Sequence, residues 1–158
     1  MLIDILKSLF NRDLQRLKTE IATYSNEALL WHTEKNISNS AGNLCLHLIG
    51  NLNTYLGAVL GNTGYVRQRD LEFSLKDVPR AELLQKLDAT VTMVNEVLDK
   101  LPTDILEKEY PMQVFEQPLT TAQFLAHLTT HLAYHLGQIN YHRRLLDPVG
   151  TNGTGTAG

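Results

Sequence analysis

Apolar residues recur at helical spacing in four stretches of the chain, and the Gly, Pro, Asn and Asp residues that interrupt helices collect between them. The first stretch, about residues 2–24, places Ile5, Leu6, Leu9, Leu14, Leu17 and Ile21 on one side. The second follows cap candidates within residues 36–40 and carries Leu44, Leu48, Leu52, Tyr55, Leu56 and Val59 as far as Gly61. A polar connection containing Asn62, Gly64 and several charges leads to Pro79, which suits the first turn of a third helix. That helix carries Leu83, Leu84, Leu87, Val91, Val94, Val97 and Leu98, and Pro102 ends it. Between Pro102 and Leu119 the chain reads as irregular or briefly extended, because Tyr110 and Gln117 each precede a proline. Thr120 and Gln123 form a capping box that opens a fourth helix, which runs to about Leu146 before Asp147-Pro148 stops it. The expected fold is all-α, a four-helix bundle with a short irregular or extended segment before the fourth helix.

A chain of 158 residues, 43% hydrophobic and 20% charged, supports one core, here expected over residues 1–149. Residues 150–158, rich in Gly and Thr, are expected to form a mobile tail. The net charge is −3 and the Lys and Arg residues are scattered, which argues against a nucleic-acid partner. No apolar run approaches the ~20 residues of a membrane span, so no membrane partner is expected. The single cysteine, Cys45, has no partner for an intramolecular disulfide, and the first residues lack a basic region followed by an apolar one. Both point to the cytoplasm.

Chemistry concentrates in the fourth helix, where His127, His131, His135 and His142 lie in one stretch. Residues four apart on a helix stack with Cβ atoms ~6 Å apart, and two imidazoles so placed can converge on one ion at Zn–N distances of about 2.0–2.1 Å. At ~100° per residue His135 faces the core, His131 borders it, and His127 turns toward solvent. His142 has a favourable angle but lies about 10 Å along the axis from His135. In the second helix His47 sits on the margin of the apolar stripe, with Asn51 and Tyr55 following at helical intervals. If these helices are neighbours, His47, His131 and His135 form a three-nitrogen site with a position left open. Gln138, Tyr134, Asn51 and Tyr55 are cleft candidates, and Cys45, about 200° around the helix from His47, reads as a buried small apolar residue. Each histidine also has an ordinary reading, as a hydrogen-bonded side chain without any ligand.

Two segments resemble the DinB-like, YfiT-like superfamily of metal-dependent enzymes. These are Asn-Ser-Ala-Gly-Asn-Leu-Cys-Leu-His-Leu-Ile-Gly-Asn-Leu at residues 39–52 and His-Leu-Ala-Tyr-His-Leu-Gly-Gln-Ile at residues 131–139. The resemblance implies a bundle of up-down-down-up connectivity, often dimeric, with a metal triad falling on His47, His131 and His135. His127 is extra to the minimal motif and is expected, with Asn51, Tyr55 and Gln138, in the surroundings of the ligands. The superfamily includes thiol-dependent transferases and isomerases.

Two functional readings follow. In one, a divalent ion, zinc or nickel, serves an open-site transferase or hydrolase whose substrate is a small molecule such as a thiol. In the other, the chain is a non-catalytic dimeric helical module whose histidines are structural or hold a structural or sensing metal. Di-iron chemistry is set aside because the Glu-x-x-His motif it needs on two helices does not occur.

Overall fold

The computed structural model describes residues 1–147, so the expected tail at 150–158 lies outside the described residues. Within them the chain is all-helical and has no strands. Five α-helices are α1 (Leu2–Thr23), α2 (Ala41–Leu52), α3 (Arg69–Ser74), α4 (Arg80–Lys100) and α5 (Thr121–Leu146). Two 3₁₀ turns, Glu27–Trp31 and Thr103–Glu107, join them, and a π-helical segment, Asn53–Leu60, continues α2.

Local chemistry explains most of the boundaries. Ser40 Oγ accepts from Asn43 N at 3.2 Å and starts α2. Thr120 Oγ1 accepts from Gln123 N, and Gln123 Oε1 accepts from Thr120 N at 2.9 Å, so the capping box of α5 is complete. The segment before α5 is held by one isolated antiparallel bridge between Glu109 and Thr120.

The core is one cluster: Leu14, Leu17 and Ile21 of α1, Leu48 and Leu52 of α2, Leu87 and Val94 of α4, and Leu128, Leu132 and Ile139 of α5 are all buried. Helix α1 packs against α4 and α5, while α2 packs against α3, α4 and α5. Every residue of α2 is buried. A helix apolar on nearly all sides belongs in the middle of a fold, and here all four other helices and a 3₁₀ turn touch it.

Three expectations need correction. Ile5 is 52% exposed, and Phe10, four residues after Leu6, takes the inward position instead. The second helix does not remain α-helical to Gly61, because the hydrogen bonding lengthens to the π pattern from Asn53. The connection between Gly61 and Pro79 contains α3, a helix too short for periodicity to reveal. Burial separates Ile5 and Phe10 energetically. Phe10→Ala should cost roughly 3–5 kcal/mol and Ile5→Ala less than about 0.5 kcal/mol, read from urea unfolding; equal losses would contradict the packing of α1.

Candidate metal centre

The polar residues of the buried helix α2 stand four apart. Asn43, His47 and Asn51 are each at most 8% exposed, and a buried polar side chain needs a partner. Asn43 Nδ2 donates to the backbone carbonyls of Glu72 at 2.9 Å and Leu75 at 2.8 Å, which fastens α3 onto α2. That contact brings the buried carboxylate of Glu72 beside His47, with Glu72 Oε2 at 3.0 Å from His47 Nδ1. Arg67 closes over the same carboxylate in a fork, Nε to Oε1 at 2.7 Å and Nη2 to Oε2 at 2.9 Å. Burial alone would raise the pKa of Glu72, but the hydrogen bonds from His47 and Arg67, with the charge of Arg67, hold it below the usual value. Gly50 makes room for this arrangement, since a Cβ there would overlap Glu72 Oε1.

A carboxylate accepts only, so His47 Nδ1 carries the proton and Nε2 is the nitrogen left facing away. It faces α5. His47 Nε2 lies 3.2 Å from His131 Nε2, and His135 Nε2 lies 3.1 Å from the same atom. His135 is oriented in the same manner as His47, because Gln138 Oε1 accepts from its Nδ1 at 2.7 Å. The three rings can therefore offer one nitrogen each, all within 4.8 Å of one another.

The chemistry of this donor set fits a metal ion. Two imidazole nitrogens bound to one tetrahedral ion at 2.0–2.1 Å stand about 3.3 Å apart, close to the two short contacts. A proton on His131 Nε2 could be aimed at one neighbour but not at both with full strength, whereas a cation satisfies all three lone pairs together. Histidine ligands must be neutral. Burial first, then the neighbouring His135 and His47 rings, pushes His131 down to about 4. Burial also lowers His135, against the opposing hydrogen bond with Gln138.

The remaining sequence candidates fall at different places. His127 is half-buried, edge-on to Phe115 with ring centroids 4.9 Å apart, and its ring is 6.0 Å from that of His131. Tyr134 meets His135 edge-on at 5.2 Å. Tyr55 packs on Phe124 and lies under the guanidinium of Arg67. Asn51 is buried with Oδ1 unpartnered. Cys45 is fully buried and its thiol is pushed up to about 12 by burial, as suits a packing residue. His142 belongs to another network, taking the Tyr24 hydroxyl at Nδ1 (2.7 Å) and reaching the His32 carbonyl through Nε2 (2.8 Å). Sequence reasoning missed Glu72 and Arg67, which lie in the stretch read as a connection; their only signal was an Arg and a Glu five residues apart in a polar segment.

The depressed pKa of His131 makes stability depend on pH. An unfolded histidine takes up its proton near pH 6.5, and folded His131 does so only near pH 4, so between these values the unfolded chain holds more protons. The metal-free protein should therefore lose stability as pH falls from about 6.5 to about 4, and His131→Leu should flatten that slope. Urea titrations across this range check it, and an unaltered slope in the variant would contradict the burial of the ring.

No curated protein matches the chain. The family described as "Protein of unknown function (DUF1572)" matches residues 2–149, nearly the full length. This family lies in the DinB/YfiT-like superfamily, and the residues that carried the resemblance, 39–52 and 131–139, are inside the matched span. The chain belongs to the DUF1572 family.

Proposed function

We propose that the protein is a metal-dependent enzyme whose ligands are His47, His131 and His135, built on a four-helix bundle of up-down-down-up connectivity and working as a homodimer in the cytoplasm. The observation that carries the reading is the convergence of three Nε2 atoms from two helices, two of them with their other ring nitrogen already held by Glu72 and Gln138. Outer partners of this kind fix the tautomer and raise the basicity of a ligand. Zinc or nickel suits three imidazoles.

Three neutral protein ligands make an open site, unlike the four of a closed structural one. Bound there, the ion supplies Lewis-acid chemistry that acidifies a water or thiol reaching its free position. The residues of the chain do the rest. Glu72 and Gln138 hold two rings in their ligating orientation. Arg67 keeps Glu72 ionised, and the half-buried rings of Phe73 and His127 beside His47 and His131 limit access of bulk water. The substrate is a small molecule, with thiols as the leading class.

Purified protein should contain close to one equivalent of zinc or nickel, and both His131→Ala and His135→Ala should lose it; metal content unchanged in both variants would reject the centre. Gly50→Ala leaves every ligand in place but displaces the Glu72 carboxylate. It should lower metal affinity about ten- to a hundredfold with the fold intact by circular dichroism, and wild-type affinity would remove Glu72 from the account. Thiol-transfer and hydrolase assays with and without metal then separate an enzyme from a metal-bound helical module, the module being indicated by metal without turnover.

A further inference from the structure

Among the described residues three buried side-chain polar atoms lack a hydrogen-bond partner, and two of them are Asn51 Oδ1 and His131 Nδ1. Their characters are complementary. When His131 offers its Nε2 lone pair toward His47 and His135, its Nδ1 carries the proton and is a donor, while an amide oxygen is an acceptor.

Helix geometry brings the two to the same level. Along α2 with its π-helical continuation on one side and α5 on the other, His47 meets His131 and His135, and Tyr55 meets Phe124. Advancing along α2 thus means retreating along α5, and Asn51, midway between His47 and Tyr55, comes opposite the turn between His127 and His131. Direction agrees. Each step of four residues drifts ~40° around a helix, so the series Asn43, His47, Asn51 turns progressively from α3 toward α5. Beyond Ser40 at the start of its own helix, the Asn43 side chain bonds Glu72, Leu75 and Lys76 in and just after α3, and His47 touches both Glu72 and His131. Leu44, ~100° from Asn43 and ~20° from Asn51, lines a cleft with Gln138, Tyr141 and His142 of α5.

We infer that Asn51 is the positioning residue of His131, linked to it by one buried water that accepts a hydrogen bond from His131 Nδ1–H and donates one to Asn51 Oδ1. This rests on the metal reading, because ligation through Nε2 is what leaves the proton on His131 Nδ1. It would complete a pattern in which each ligand has an outer partner: Glu72 for His47, Gln138 for His135 and Asn51 for His131. It also gives both orphaned atoms a partner at the cost of ordering a single water, and buried waters typically serve such groups.

Two variants test it. Leucine at position 51 fills a similar volume without an acceptor, and aspartate restores one. Zinc affinity measured by competition with a chromophoric chelator should fall ten- to a hundredfold in Asn51→Leu and stay within a few-fold of wild type in Asn51→Asp. In parallel, nitrogen-15 spectra of the zinc-bound protein should show a slowly exchanging His131 Nδ1–H in wild type and Asn51→Asp that is absent from Asn51→Leu. A leucine variant that binds zinc as wild type does, with the same protected Nδ1–H, would overturn the inference. Wild-type protein that binds no zinc would overturn the metal reading and this inference together, whereas zinc bound equally by wild type and Asn51→Leu would overturn the inference alone.

Discussion

A histidine in the middle of a helix that is buried on every side has to find partners for both ring nitrogens, because an unsatisfied polar group in such a place costs about 1–3 kcal/mol. His47 is that histidine, and the centre is organised around the way its requirement is met. One nitrogen takes the carboxylate of Glu72 and the other turns to α5. Meeting the requirement creates another, since a buried carboxylate needs its own compensation, and Arg67 provides it through a two-point contact. Asn43 and Gly50 complete the set, one by tying down the backbone of α3 and the other by leaving space.

The scaffold makes these demands tolerable. Helix α2 gives no face to water, because every one of its residues is buried and its polar stripe of Asn43, His47 and Asn51 is turned inside the protein. It is enclosed by α4 and α5 on the core side and capped by the short α3 on the other. Links between the long helices hold the enclosure: Asn11 and Asn95 exchange amide hydrogen bonds between α1 and α4, and Glu20 on α1 receives Asn140 and Arg143 from α5. At the far end of α5, Tyr24 and His142 form a separate buried pair. Histidines of one helix thus serve two unrelated ends, one building the candidate centre and one closing the fold.

Much was legible from residue order because it depends on neighbours in sequence. The four long helices follow from apolar periodicity. The start of α5 follows from a side-chain bond spanning three residues, and the pairing of His131 with His135 from the pitch of a helix. These are local constraints. Ile5 and Phe10 show where locality ends, for both suit an amphipathic helix and only the position of α4 and α5 decides which is covered.

The amino-acid sequence by itself determined that the chain is helical and that two histidines of α5 share a face. Only the tertiary structure decided that His47 stands opposite them, and that a carboxylate twenty-five residues further along the chain orients it. The reason is physical. A hydrogen bond or a metal ligand is satisfied by whatever is nearby in space, and α3, with six residues, is held by Asn43 and the packing of its neighbours more than by any periodicity of its own.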